Sequence, residues 1–365
     1  MTSMEKSALL APAFLLMLAG CDAAGPLPEV RLPGEEAYVS VRLNIQSSPP
    51  GTRGIGGSTS PVADDIICDG VILEFDPDGV LLELVQFAGE NIPEVRVRRN
   101  QQTDIYIVAN PTVDLAQVAS LSDFLDTRSS YQANEAGRLE MTGHFCGSFG
   151  ADAAVNVRME RMVSRIQVDR MVFRCTHDWP DYTGIHFTRG YLEKTPDFCT
   201  YGLFQPGTYI NAYDRRIGIG YTSGYSSEVR NYDQGEYKVW EYIKPWSVYC
   251  YPNEADDANG RSRLAISYRL VYQVTGIDAA TGQPVVLPRY DDACLHLVLP
   301  RLRPNTVYEL ERLTLNGPRN RVVYLGGNER HVPEPPVCSF GMRDMTTGEY
   351  LGSVEGEVEY ALLDN

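Results

Sequence analysis

From Ala37 onward, apolar and polar residues alternate with a period of two, and this alternation constrains the fold more than any other feature of the chain. In "YVSVRLNIQ", Val39, Val41, Leu43 and Ile45 fall on one face, while Tyr38, Ser40, Arg42 and Asn44 fall on the other. Such a strand buries one face and leaves the other wet. The pattern returns in "DIICDGVILEFDPDGVLLELVQF", where Asp76-Pro77-Asp78-Gly79 supplies turn chemistry between two strands, and in "VRVRRNQQTDIYIVANP", which turns around Asn100. "RLEMTGHFCGSF" and the long segment 155–173, "VNVRMERMVSRIQVDRMVF", read as further strand. One stretch breaks the rule: over 112–126, Leu115, Val118, Leu121 and Phe124 recur at helical spacing and predict one short helix.

The second half has the same texture, and its hairpin through Gly276 to Gln283 is the clearest local signal. The polar stretch "RCTHDWPDYTG" near 174–182 marks a candidate boundary. With 32 Gly, 23 Pro and 22 Tyr, the composition suits many turns and strands. The expected class is therefore all-β, with two β-sandwich domains in series and one or two short helices. The expected partition is a signal peptide at 1–20, a tether at 21–36, an N-terminal sandwich at 37–176 and a C-terminal sandwich at 177–365.

Lys6 precedes "ALLAPAFLLMLAG", an apolar run too short for a permanent membrane helix and suited to a signal-peptide core. The run ends in Leu18-Ala19-Gly20-Cys21, which resembles a bacterial lipobox, so Cys21 is the expected lipidation site. No other apolar run of about twenty residues follows, so lipid alone would hold the precursor on the outer membrane. The formal charge of −16 sets nucleic acid aside as a partner, because phosphates would be repelled.

Seven cysteines remain after Cys21, an odd number without a CxxC pair, and they read as small buried hydrophobes. If a disulfide forms, Cys175 with Cys199 is the first candidate, since they bracket one segment. The five histidines form neither HxH nor HExxH, there is no Gly-x-Ser-x-Gly elbow or P-loop, and "RIGIGY" at 216–221 lacks dinucleotide-loop spacing. No catalytic residue, metal or cofactor is therefore expected. Trp240, Tyr242, Trp246 and Tyr249 read as core and cross-strand packing, unless they face solvent in one groove as a glycan platform would require.

Taken together, the lipobox, the early strand with its "TRGI" loop, "MTGHF" before "VNVRMERMVSRIQV", "SVYCYPNE" and "LPRLRPNTVYELERLTLNG" resemble the Bacteroidales fimbrillins, the subunits of type V pili. The likeness spans most of the chain. It implies two transthyretin-like sandwiches, export as a lipoprotein, and maturation by an arginine-specific protease in the loop after the first strand. On this sequence, the lipidated residue would be Cys21, the scissile bond Arg53-Gly54, and the released strand Val39 to Ile45 with Val41 and Leu43 between them. The mature protein would leave the membrane for an extracellular fimbrium, with other copies of itself or related pilins as partners.

The loop suits that role on composition alone. "QSSPPGTRGIGGSTSPVADD" is rich in Ser, Gly and Pro and carries one basic residue, Arg53. Extracting a strand from a sandwich exposes an apolar trough and unpaired backbone, which a neighbour's strand can fill. Four inward aliphatic side chains at about 1.5 to 3 kcal/mol each offer roughly 6 to 12 kcal/mol before ordering costs. Head-to-tail donation of this kind does not close, so it generates filaments. The C-terminal "GSVEGEVEYALL", with Val354, Val358, Tyr360 and Leu362 at even spacing, is either a detachable donor or a plain last strand. The competing expectation is a non-polymerising surface lipoprotein of the same fold, a pilus anchor or a glycan-binding accessory protein.

Overall fold

The structure, a computed structural model, describes residues 38–46, 64–89, 91–130, 134, 137–176, 182–202, 209–210, 229–242, 246–316, 322–325, 328–331 and 338–361. The first part of the chain contributes β1 (Tyr38–Gln46), β2 (Asp69–Phe75), β3 (Leu81–Ala88), β4 (Val95–Arg98), β5 (Gln102–Ala109), a helix α1 (Leu121–Asp126), β6 (Met141–Ser148), β7 (Ala153–Arg158) and β8 (Glu160–Arg161). The remainder begins with β9 (Ser164–Val168), β10 (Met171–Thr176), β11 (Tyr182–Glu193), β12 (Thr195–Pro196), β13 (Tyr209–Ile210), β14 (Val229–Gln234), β15 (Tyr237–Tyr242) and β16 (Trp246–Cys250). It continues with β17 (Arg263–Ile277), β18 (Pro284–Val298), β19 (Thr306–Leu310), β20 (Leu313–Asn316), β21 (Val322–Leu325), β22 (Asn328–His331), β23 (Cys338–Asp344) and β24 (Tyr350–Ala361). The chain is all-β, as its alternation predicts.

The turn chemistry read from the sequence is in place. Asp76 Oδ1 accepts from the backbone N–H of Asp78 and of Val80 at 3.0 and 2.8 Å, and Gly79 takes the left-handed conformation at φ 78° that closes the β2–β3 hairpin. The helix is shorter than its spacing predicts. Only Leu121–Asp126 is helical, with Ser120 Oγ accepting from Asp123 N–H as N-cap. Before it, Ala116 N–H bonds Asp114 Oδ1 and Thr112 is held by Glu140, so local side-chain bonds replace a helical ladder while Leu115 and Val118 stay buried.

The first sandwich lays a three-stranded sheet, β4-β1-β7, over a five-stranded sheet, β3-β2-β5-β6-β8. Val39, Val41, Leu43, Val95, Val97 and Val157 on one side meet Ile72, Phe87, Ile105, Ile107 and Met141 on the other. The five-stranded sheet is buried on its second face as well. Val71, Leu73 and Phe75 of β2 pack there with Phe124 of the helix and with Cys199, Tyr201 and Tyr251 from later in the chain. Burial on both faces is why "GVILEF" is a nearly continuous apolar run rather than a clean alternation.

In the second sandwich, the four-stranded sheet β14-β15-β10-β20 shares a core with the long path β11-β17-β18-β24-β23-β19-β9-β16. Segment 155–173, which reads as one strand, is four. β7 joins β1, β8 joins β6, β9 joins β16 and β19, and β10 joins β15 and β20. Residues 164–176 thus hydrogen-bond into sheets of the second half, although the sequence groups them with the first domain. Alternation records which face of a strand is buried, and it does not record which partner the edge meets.

Candidate functional site

The first strand is tied to its domain on every side that a strand offers. β1 runs antiparallel to β4 over Tyr38–Val41 and parallel to β7 over Val41–Gln46, so it bridges the two and overlaps both at Val41. Among the described residues neither β4 nor β7 forms a ladder with any other strand. Inward, Val39, Val41 and Leu43 are 3%, 0% and 3% exposed, and Ile45 is partly buried against the same core. Those three fully buried side chains correspond to about 5 to 9 kcal/mol of apolar burial before ordering costs.

The outward face is held only lightly. Arg42 pairs with Glu94 at 2.8 Å, but both side chains are exposed, where such a pair is worth little. Asn44 Nδ2 donates to Asn156 Oδ1 at 3.1 Å, and Ser40 N–H to Asp152 Oδ1 at 2.9 Å. Packing, backbone pairing and shape hold β1, rather than charge.

Where the chain is next described, it is fixed hard. Asp64 is buried and its carboxylate receives Arg165 and the Tyr249 hydroxyl, while Asp65 pairs with the fully buried Arg161. Arg161 also donates to the Asp64 carbonyl at 3.3 Å and to Thr346 Oγ1 at 2.8 Å. Burial raises the Asp64 pKa, with Arg165 and Tyr249 opposing that rise. Gln46 lies opposite Arg158, three residues before the Arg161 that bonds the Asp64 carbonyl, so Gln46 and Asp64 both meet this one stretch of chain. Sequence reasoning missed this anchor, because nothing local links an Asp-Asp pair to arginines about a hundred positions away.

No family model matches the chain, and no curated protein does. The similarity is to fimbrial and adhesion proteins of known structure. One is a candidate cell adhesion protein from Parabacteroides distasonis ATCC 8503, with a TM-score of 0.48 and 12% identity, covering 91% of this chain and 99% of that one. Another is a fimbrial assembly protein from the same organism, with a TM-score of 0.40 and 10% identity over 84% of this chain and 95% of that one. A third is the fimbrial anchor protein Mfa2 from Porphyromonas gingivalis, with a TM-score of 0.35 and 10% identity over 87% of this chain and 100% of that one. These likenesses are distant and assign no activity to this chain.

Of the other predicted positions, Cys21, Arg53, Gly54 and Leu362 lie outside the described residues. Val354, Val358 and Tyr360 lie on β24, whose first part pairs with β23 and whose last residues, Glu357–Ala361, pair with β18. Val354 and Val358 are only partly buried against the core. Gly356 is fitted to this home position, since a Cβ there would sit 2.7 Å from the Phe340 ring.

The Trp246 side chain lies outside the described ones, and the other three aromatic candidates pack inward rather than forming a platform. Trp240 and Tyr242 are buried in the second core, with Trp240 against Phe173 at 5.5 Å, and Tyr249 is turned to Asp64. Nor are Cys175 and Cys199 joined: they sit in different cores, and every described cysteine is free. Burial raises the Cys175 thiol to about 11. Five of the described cysteines are buried, as small hydrophobes would be, while Cys68 and Cys146 are exposed.

Proposed function

We propose that this chain is a structural subunit of a surface fimbria, made as a lipoprotein on Cys21 and matured by an arginine-specific protease that cuts Arg53-Gly54 and frees β1 for replacement by a strand from another copy or a related pilin. The observation that carries this reading is the bridging position of β1, with Val39, Val41 and Leu43 buried and with β1 as the strand that joins β4 to β7 in the ladder among the described residues. Removing it leaves a trough lined by Ile72, Phe87, Ile105 and Ile107, flanked by two strands without a partner between them. A complementary strand would restore both ladders. The role is structural rather than catalytic.

A second reading, a pilus anchor or accessory protein that keeps β1 and its lipid, is favoured by one feature: Gly356 and Phe340 interlock, so β24 is shaped for its own sheet rather than for export to a neighbour. One experiment separates the two. The protein lacking its leader is incubated with an arginine-specific protease, and the products are resolved with and without heating in mild detergent. The subunit reading expects a new N-terminus at Gly54 and ladders that survive detergent until heated, both abolished by Arg53→Ala. A chain that stays whole, or is cut elsewhere without ladders, sinks it.

A further inference from the structure

β17 and β18 are each fifteen residues long, but only the base of their hairpin lies within a sheet. β11 accompanies β17 as far as Tyr272, and β24 accompanies only Cys294–Val298 of β18. Beyond those points, among the described residues, Gln273–Ile277 and Pro284–Leu287 form ladder pairs only with each other, as a two-stranded arm. The arm is well built. At its tip Asp278 Oδ1 accepts from Ala280 and Thr281 N–H at 2.9 and 2.8 Å, and Gly282 takes φ 68°. At its root Arg269 grips Asp292 through two bonds of 2.6 and 2.8 Å and lies over the Tyr290 ring.

Its surface is nonetheless apolar. Ile277 is 68% exposed, Val286 58%, Tyr290 53% and Leu287 40%. The pair Val274 and Leu287 continues the row that includes the buried Leu264, Ile266 and Leu270 on the core side of the sheet. An isolated two-stranded ribbon is marginal in water, and one that presents aliphatic side chains to solvent has the character of an interface waiting for a partner.

We propose that this arm docks on a second copy of the chain. Charge favours that occupant. Residues 273–288 carry one charged side chain, Asp278, in a protein that is 22% charged with a net −16, so two copies approach here with least repulsion. The absence of any Lys or Arg in the same stretch leaves nothing to draw an anionic membrane. Direction favours it as well. β24 runs antiparallel to β18 with Ala361 opposite Cys294, so its C-terminal end heads toward the arm's tip. The strand exchange proposed above, on which this step rests, leaves the donor open; where β24 is that donor, the receiving copy meets the arm too. Pro284 and Pro288 keep the β17 ladder by turning their missing N–H groups to the edge of β18 away from β17. The contact is therefore made by side chains rather than by an added strand.

A photoreactive phenylalanine analogue at position 286 tests this in protease-treated protein at high concentration, with detergent-resistant ladders scored in the same samples. Crosslinked peptides joining position 286 to a second copy are expected. A companion variant, Val286→Asp with Leu287→Asp, is expected to slow ladder growth about tenfold, equivalent to about 1.4 kcal/mol, with an unchanged thermal transition. Ladders without the crosslink overturn the arm contact and leave strand exchange standing. A crosslink without ladders supports the contact and removes strand exchange. Absence of both overturns both.

Discussion

At the scale of single residues, the first strand separates side chains that matter from those that decorate. Leu43 is buried in the first core, whereas Ser40 is half-buried on the outer face and bonds Asp152 through its backbone N–H. Leu43→Ala is expected to destabilise the uncut protein by about 2 to 4 kcal/mol and Ser40→Ala by less than about 0.5, as read from denaturant midpoints. A second residue-scale prediction concerns pH. His296 is buried beside Glu193 at 2.9 Å. Burial alone would lower its pKa, but Cys294 and the Glu193 carboxylate outweigh that and raise it to about 9. A pKa raised on folding gives stability that is whole below the ordinary value of 6.5 and is lost as pH rises through about 9. Thermal midpoints are expected to fall across that window and to flatten in His296→Gln; an unchanged slope in the variant removes His296 as the cause.

At the scale of elements, the contrast is between β1 and β24. β1 buries three aliphatic side chains fully, while the described side chains of β24 are at most partly buried, so the first strand contributes far more to its own core. After cleavage, a synthetic peptide of residues 38–46 is expected to rebind in trans and raise the melting temperature of the cut protein, and the same peptide with Val41→Asp is not. Rebinding would be followed by loss of signal from a dye that reports exposed apolar surface. If the cut protein binds no dye and ignores the peptide, β1 has not left an open trough. The period-two pattern in the sequence announced β1 together with its inward residues. It was silent on the overlap of β4 and β7 at Val41, because ladder partners come from positions about sixty and one hundred residues away.

At the scale of the molecule, the two sandwiches share a third core. Tyr251 OH accepts from Ser129 at 2.7 Å and from Asn134 at 3.0 Å, and the Tyr201 hydroxyl donates to buried Glu140, so side chains on either side of the β8–β9 crossing complete one another. The three tryptophans, Trp179, Trp240 and Trp246, all lie beyond residue 177. Tryptophan fluorescence and far-ultraviolet circular dichroism are therefore expected to report one coincident unfolding transition, and Tyr251→Ala to part them. Two separate transitions in the unaltered protein would contradict the shared core.

The residues by themselves determined the class of fold, the hairpin turns at Asp76–Gly79 and Gly276–Gln283, and the inward set of β1, because backbone periodicity and turn propensities act over a few neighbours. Only the tertiary structure decided that 155–173 divides among four sheet positions, that Cys175 and Cys199 part into separate cores, and that Asp64 and Asp65 meet Arg165 and Arg161. Those outcomes depend on which distant strands and charges come together, and a pattern that repeats every two residues is the same whichever partner it meets.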